Sequence, residues 1–433
     1  MKIESIEIHK LFDLFDYKIE LNQDENLTIL TGPNGYGKTS ILNIIYNLFN
    51  DNGSFYYFQK LLFSEIIFHF DNQYRLEVRK NIESAQVLFY IYGENHTEIS
   101  RYDYASEENI KKQIERYIPF VRRISQDKWL DKQQGRIYSF AELLNEFSGY
   151  LPFDLLNALK NNGLGNAAML NIFEDLQVYL IKEQRLIKQN QQIKYDELEI
   201  SHTNTILDYA KELSSLIEKK QAESFTITQK LDGSFPKRLL ESRHELSKEE
   251  FDNRFEQLRV KYDKLNRFGL ITSSLDIPPY DDKSENLRVL SIYLDDSHQK
   301  VAVFDELLNK IELFTDILNQ KRFTHKAIQI NKENGFMFIS DRNNTALSLT
   351  DLSSGEQHEV VLLYELLFRV KPGTIVLVDE PEISLHVSWQ QEFINDLIKI
   401  SKMQQIRFIV ATHSPTIINN RETVDLYALT QNN

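Results

Sequence analysis

Gly32-Pro-Asn-Gly-Tyr-Gly-Lys-Thr39 follows the pattern Gly-x4-Gly-Lys-Ser/Thr, with Ser40 next to it. Glycines let a backbone curl so that successive N–H groups face inward at anionic oxygens. A helix opening at Lys38 adds the partly positive end of its dipole. The implied chemistry is capture of a triphosphate, with Gly32, Pro33, Asn34, Gly35, Tyr36, Gly37 and Ser40 forming the cradle. The Lys38 ammonium would then bridge the β- and γ-phosphates and the Thr39 hydroxyl would ligate Mg2+. The competing reading of the same residues is a glycine-rich strand-to-helix turn.

A second chemical group lies far along the chain. Thr374-Ile-Val-Leu-Val-Asp-Glu380 reads as a buried strand ending in two adjacent acids. Parallel strands present their carboxyl ends to the ligand crevice of an α/β sheet. Asp379 would there hold Mg2+, directly or through water, and Glu380 would orient and deprotonate an attacking water. Taken alone, the pair could equally be a helix-capping acid cluster. Three weaker pieces accompany it. Leu352-Ser-Ser-Gly-Glu356 precedes an apolar helix at 360–368, so its N–H groups could meet a phosphate. The strand 407–411 leads into Thr412-His413, placing His413 near a γ-phosphate. The strand 176–181 runs into Lys182-Glu-Gln-Arg185, where Gln184 could sense Mg2+ or the attacking water. A lone His is more often structural and Ser-Ser-Gly is ordinary turn chemistry, so the order of these pieces carries the weight.

The elements that must position them follow from periodicity. Short strands are predicted at 2–8, 18–21 and 27–30, and a helix at 38–49. Three further β-type runs at 64–70, 74–78 and 86–91 have breaks too short for parallel crossovers and predict an antiparallel meander. From 201 to 321 the apolar residues take helical spacing. Ile206, Ala210, Leu213 and Ile217 begin the series, and Phe251, Phe255, Leu258, Tyr262 and Leu265 repeat it. Leu287, Leu290, Leu294, Val301, Phe304, Leu308, Ile311 and Leu318 continue it, with Ser297 and Thr315 as gaps. Breaks are predicted at Asp232-Gly-Ser-Phe-Pro236 and at Ile277-Pro-Pro-Tyr280, so that the helices fold back on one another. This middle reads as a projecting arm of roughly 50 Å or as a compact bundle. Strands return after 327. The expected division is 1–200, an inserted helical arm 201–321, and 322–433.

Composition sets outer limits. The 433 residues are 42% hydrophobic and 26% charged, enough for two to three packed domains and too apolar for a disordered chain. Cysteine is absent, which excludes disulfides, thiol catalysis and cysteine zinc sites and is compatible with a reducing compartment. The opening residues alternate like a strand instead of carrying a signal peptide's apolar run. No stretch reaches the ~18 apolar residues of a membrane span. A cytoplasmic protein with no membrane partner is the expectation. The net charge of -14 argues against broad charge-driven DNA coating. Lys128, Lys132 and Arg136 around Trp129, with Arg122 and Arg123 nearby, fit a nucleic-acid contact. The preferred reading is a solvated helix face with one buried Trp.

In this order the motifs resemble the nucleotide-binding domain of the ABC and SMC superfamily. Gly32 to Thr39 matches its Walker A loop, Gln184 the Q-loop, and Leu352 to Glu356 the signature. Asp379 and Glu380 match Walker B, and His413 the switch histidine. The resemblance covers about 1–200 and 322–425. It implies an α/β fold: an ABC-type P-loop ATPase head with an antiparallel β-subdomain and an inserted helical, coiled-coil-like arm. It also implies ATP and Mg2+ as ligands, and a homodimer or higher oligomer in which two heads sandwich two ATP molecules. Ser353 and Gly355 would contact the nucleotide held by the partner, with Ser354 and Glu356 beside them.

Within the superfamily, Val378-Asp-Glu-Pro-Glu-Ile-Ser-Leu-His386 with Trp389-Gln390 is similar to the single-chain ATPases of bacterial anti-phage systems of the Septu and PARIS kind. The runs 179–186 and 231–239 share that similarity. OLD-family nucleases share the head but continue into a TOPRIM domain, and no acid-rich nuclease segment follows His413. Transporter signatures usually read Ser-Gly-Gly-Gln, where Ser354 and Glu356 stand at two of the places, and transporter D-loops carry an Asp where His386 stands, so a transporter subunit is disfavoured. The implied function is an ATP-driven sensor controlling a separate effector nuclease of HNH or TOPRIM type. The alternative is an SMC- or RecF-like ATPase in DNA repair or DNA binding.

Overall fold

The computed structural model describes the chain except residues 22–25, 51–55, 82–85, 94–96, 104–110, 113, 126–127, 133–134, 148–149, 152–171, 174, 182–186, 195–196, 242–245, 277–283, 321–322, 324, 384, 419–424 and 430–433. It divides into two compact units: 1–183 with 370–383 and 391–433, and 184–369 with 384–390.

Alternation builds the first sheet of the first unit. In β1 (Ile3–Leu11), Ile3, Ile6, Ile8 and Leu11 are buried, and register shifts at Ile3–Ser5 and Ile8–Leu11 stretch the alternation at both ends. β2 (Phe15–Glu20) alternates strictly between buried and exposed residues. With β4 (Glu65–Phe70), β5 (Arg75–Lys80), β6 (Val87–Tyr92) and β7 (Glu98–Asp103) they form a sheet in the order β2-β1-β4-β5-β6-β7. Every pairing in it is antiparallel. The expected meander is present and is widened on both sides.

The second sheet has the order β11 (Val178–Ile181), β17 (Ile375–Asp379), β18 (Arg407–Thr412), β3 (Leu27–Thr31) and β19 (Asp425–Ala428). It is parallel throughout. Its strands are near-continuous apolar runs, as sheets covered on both faces require. Helix α1 (Lys38–Phe49) buries Ile41, Leu42, Ile44, Ile45, Leu48 and Phe49 in one core shared with both sheets. Apolar residues nearly all round a helix are what such a sandwiched position demands.

A smaller core lies around Trp129, which is fully buried with Ile114, Ile118, Tyr138 and Leu143. Here β8 (Val121–Ser125), β9 (Lys128–Asp131) and β10 (Ile137–Ser139) form an antiparallel sheet beside helix α2 (Phe140–Phe147). The expectation of a helix face at 128–136 is therefore corrected. Trp129 and Asp131 are buried and alternate with Lys128 and Leu130, which is a strand period. Trp129 offers no platform for a base. It is core, and the Arg123 guanidinium lies 5.4 Å from its ring centroid.

The second unit opens with the hairpin β12 (Ile187–Lys194) and β13 (Glu197–Asn204), followed by helices α3 (Thr205–Glu241), α4 (Lys248–Arg267), α5 (Ser284–Ala302) and α6 (Asp305–Asn319). The spacing located their core well. Ile206, Leu213, Ile217, Phe251, Leu258, Leu265, Leu294, Phe304 and Ile311 are all buried. Thr315 fills its gap by donating to Ile311 O at 2.9 Å. The helices also fold back as expected, since Arg254 in α4 meets Asp295 in α5 at 2.6 Å and Lys264 meets Glu312 in α6 at 2.8 Å.

The predicted break at 232–236 does not occur, because α3 runs through Pro236. Proline removes one donor from the helix ladder, the one due to the Asp232 carbonyl, and side chains bind neighbouring groups around it. Arg238 Nη2 and Ser234 Oγ both donate to Leu231 O, at 2.8 and 3.1 Å. The same guanidinium grips Asp296 with two nitrogens, and Lys300 Nζ reaches the Asp232 carboxylate at 3.0 Å. The predicted break at 277–280 lies outside the described residues.

After α6 come β14 (Lys326–Asn331), β15 (Gly335–Ser340) and β16 (Ala346–Leu347), then helix α7 (Ser354–Tyr364), which continues as a π-helical turn at Glu365–Arg369. Tyr209 near the start of α3 donates to Glu365 in that turn and accepts from Arg369 at 3.0 Å, and its ring stacks on Tyr364 at 4.6 Å. Helix α8 (Val387–Gln404) then precedes β18.

Gly335 marks a close approach between two elements of this unit. Its φ is +69°, and a Cβ there would lie 1.9 Å from the Ala210 carbonyl oxygen of α3. Gly335→Ala must shift the hairpin off the helix at a cost of about 3 kcal/mol. At ~2–4 °C per kcal/mol, calorimetry should record a melting temperature about 6–12 °C lower. An unchanged midpoint contradicts this packing.

Candidate functional site

The loop between β3 and α1 holds Gly32, Pro33, Asn34, Gly35, Tyr36 and Gly37. Gly37, at φ +84°, is the N-cap of α1, and any Cβ there would meet Leu11 Cδ2 at 2.8 Å. As a glycine, this N-cap supplies no side-chain cap, and no acid lies in the first turn of the helix. Its leading N–H groups are thus left to a ligand acceptor, and an anion fits them best. Lys38 is 4% exposed, and its Nζ donates to Gly32 O at 2.8 Å and Pro33 O at 3.2 Å, which folds the ammonium back over the loop.

Neighbouring tyrosines brace the loop from behind. Tyr17 Oη donates to Tyr36 O at 2.9 Å, and burial, with Tyr36 adding to it, pushes the Tyr17 hydroxyl up to about 12. Tyr57 Oη donates to Ser40 O at 3.4 Å. Phe15 is packed against Tyr17 and Tyr36 and is 7% exposed, so it cannot receive a planar ligand on its face.

Strand order brings the distant acids to this loop. β17 and β18 are neighbours, β18 and β3 are neighbours, and Asp379 is in register with Ala411 while Thr412 is in register with Thr31. Thr39 Oγ1 donates to Asp379 Oδ1 at 3.1 Å, joining positions 340 residues apart. The next residue, Glu380, has φ +41°, left-handed for a non-glycine, and its N–H donates to Ala411 O at 2.9 Å. Such backbone costs about 1–3 kcal/mol and clusters at functional sites. His413 Nδ1 lies 3.8 Å from Glu380 Oε1 and 3.0 Å from Glu382 Oε1. The first unit therefore brings together the Gly32–Ser40 segment, Asp379, Glu380 and His413. Gln184 lies outside the described residues.

Ser353, Ser354, Gly355 and Glu356 belong to the second unit. Ser353 is the N-cap of α7 and forms a capping box with Glu356. Glu356 Oε2 accepts from Ser353 N at 2.8 Å and Ser353 Oγ at 3.0 Å, and Lys326 Nζ lies 2.8 Å from both carboxylate oxygens. Burial pushes the Glu356 carboxyl up, but Lys326 and the two Ser353 donors outweigh it and hold it below the ordinary carboxylate value. This carboxylate shapes the start of α7.

Sequence reasoning missed two residues. Lys326 opens β14 with no spacing signal linking it to Glu356. Glu382 was visible as the third acid of Asp379-Glu-Pro-Glu382 yet received no role. Its Oε1 accepts from Thr412 Oγ1 at 2.7 Å, His413 N at 2.8 Å and Ser414 N at 3.2 Å.

Comparison with known proteins bears on this arrangement. A retron Ec83 probable ATPase from Escherichia coli is 39% identical over 102 residues, 21% of this chain and 18% of that protein. A retron Vc95 probable ATPase from Vibrio cholerae serotype O1 biovar El Tor is 31% identical over 88 residues, 18% of this chain and 17% of that protein. The chain thus matches less than a fifth of either relative's length. Among solved structures, the Smc head domain with an extended coiled coil bound to the C-terminal domain of ScpA, from Pyrococcus furiosus, aligns with a TM-score of 0.36 at 15% identity, covering 99% of this chain and 94% of that one. The SMC head domain from Thermotoga maritima aligns at 0.32 and 11%, with coverage of 99% and 94%. The model of the AAA ATPase domain family matches residues 1–418, which takes in the loop, both acids and the histidine, and this chain belongs to that family.

Proposed function

We propose that the chain binds Mg–ATP in the Gly32–Ser40 cradle and hydrolyses it, and that paired heads use the bound nucleotide to control a separate effector in anti-phage defence. The observation that carries the chemistry is the Thr39–Asp379 contact of 3.1 Å beside a helix start with no side-chain cap. A hydroxyl and a carboxylate oxygen suit a hard divalent cation whose remaining ligands come from phosphate and water. Mg2+ bound there would neutralise charge on the β- and γ-phosphates. The Lys38 ammonium exchanges its loop carbonyls for phosphate oxygens. Glu380 accepts a proton from the water whose oxygen attacks the γ-phosphorus, and the bond to the β–γ bridging oxygen breaks, giving ADP and phosphate.

Ser353 and Gly355 at the start of α7 supply the contact to a partner's nucleotide, so ATP favours the paired state and hydrolysis loosens it. Residues 1–200 and 322–433 act as the head and 201–321 as its inserted arm. The two retron relatives are named as probable ATPases, which supports the hydrolysis. The defence role rests on the resemblance of the 378–386 run to anti-phage ATPases, and in this reading the effector is a nuclease of HNH or TOPRIM type working with the chain in the cytoplasm. Among the described residues no helix is long and apolar enough to cross a membrane. The test pairs titration calorimetry with light scattering on the purified chain. Mg–ATP should bind and raise the mass toward a dimer, and no uptake at millimolar nucleotide removes the reading.

A further inference from the structure

From the ends of β17 and β18 we infer that Glu382 is a positioning residue for hydrolysis, a carboxylate clamp that fixes the His413 imidazole so that only Nε2 remains for the nucleotide. The inference rests on the reading of the chain as a Mg–ATP hydrolase. One oxygen, Glu382 Oε1, collects three donors in succession along the chain: Thr412 Oγ1, His413 N and Ser414 N. It also lies 3.0 Å from His413 Nδ1, whereas the Glu380 carboxylate stands off at 3.8 Å. A carboxylate oxygen only accepts, so the clamp we infer assigns the proton of a neutral ring to Nδ1, the nitrogen 3.0 Å from Glu382 Oε1, and leaves Nε2 as the other polar atom.

Burial separates the two acids by task. The Glu382 side chain is 7% exposed and Glu380 is 28% exposed. Glu382 sits on the short 3-10 turn Pro381–Ile383, immediately after the left-handed Glu380. Thr412 Oγ1, besides donating to Glu382, accepts from Ser414 N at 3.0 Å, which closes the turn that carries the histidine. A chain of this kind locks a rotamer and a tautomer together, as a third group orients the base in other catalytic sites. It leaves Glu380 free to take the proton of water without also having to hold the ring.

Two independent measurements test the clamp. In steady-state hydrolysis, Glu382→Ala should lower kcat about 10- to 100-fold while the Kd for Mg–ATP stays within about twofold. Glu382→Gln keeps an oxygen acceptor and should restore most of the rate. In a His413→Ala background, adding Glu382→Ala should cost less than about twofold, because the effect passes through the ring. Parent-like turnover in Glu382→Ala, or an equal loss with and without His413, overturns the inference.

The second measurement needs no turnover. With 15N-labelled histidine at about pH 8.5, two units above the ordinary histidine value of ~6.5, the resonance lost in His413→Ala should report a proton on Nδ1. In Glu382→Ala that preference should disappear. A proton on Nε2 in the parent sinks the clamp even if hydrolysis proceeds. A parent that shows the Nδ1 proton but never turns over ATP keeps the clamp's geometry and removes the catalytic reading instead.

Discussion

Lys38→Ala is expected to weaken Mg–ATP binding by about 100-fold. The ammonium is 4% exposed and, among the described residues, its hydrogen-bond partners are the neutral carbonyls of Gly32 and Pro33. A buried cation with only dipolar partners is costly to keep, and a triphosphate supplies the counter-charge. Charge-assisted hydrogen bonds to phosphate at a desolvated site are worth about 3 kcal/mol, or two decades in Kd at 1.4 kcal/mol per decade. The fold should tolerate the change, because the two carbonyls lie on the loop and the α1 core begins three residues later at Ile41. Titration calorimetry with Mg–ATP reads the loss directly. A Kd within threefold of the parent would mean that the uncapped helix start holds the phosphates without the side chain.

How far the sequence anticipated the structure depends on the range over which each signal acts. The phosphate loop was legible because its requirements are local: a strand, glycines at positions needing left-handed backbone, and a helix opening at Lys38. The parallel strand before Asp379 was legible because a doubly covered strand is an unbroken apolar run. The helical cores at Ile206, Phe251 and Ile311 followed from spacing alone. What escaped depended on partners distant in the chain. Nothing in the local sequence announces that Arg238 will bind both Leu231 O and the distant Asp296 in a helix that runs on through Pro236. Nothing in Leu352-Ser-Ser-Gly-Glu356 names Lys326 as the group that holds Glu356. Around Trp129 the basic residues drew attention to charge, and the period-two burial of Trp129 and Asp131 was the better signal.

Glu380→Gln is expected to leave Mg–ATP affinity unchanged and to lower kcat by about 1,000-fold. Gln has the same shape, so the left-handed backbone at φ +41° and the N–H bond to Ala411 O are retained. What is lost is the proton acceptor, and general base catalysis contributes about 10²- to 10⁴-fold. A change confined to kcat identifies an interaction made only in the transition state, whereas a matching rise in Kd would point to ground-state binding. The same substitution separates the two halves of the proposal. If bound ATP holds heads together and hydrolysis releases them, the variant should accumulate as a stable dimer in light scattering with Mg–ATP, while the parent cycles back to monomer as nucleotide is consumed. Lys38→Ala added to Glu380→Gln should abolish that dimer, because the nucleotide no longer stays bound. A Glu380→Gln chain that hydrolyses at the parental rate would move the general base elsewhere. One that stops hydrolysing yet stays monomeric would keep the chemistry and discard the nucleotide-driven pairing.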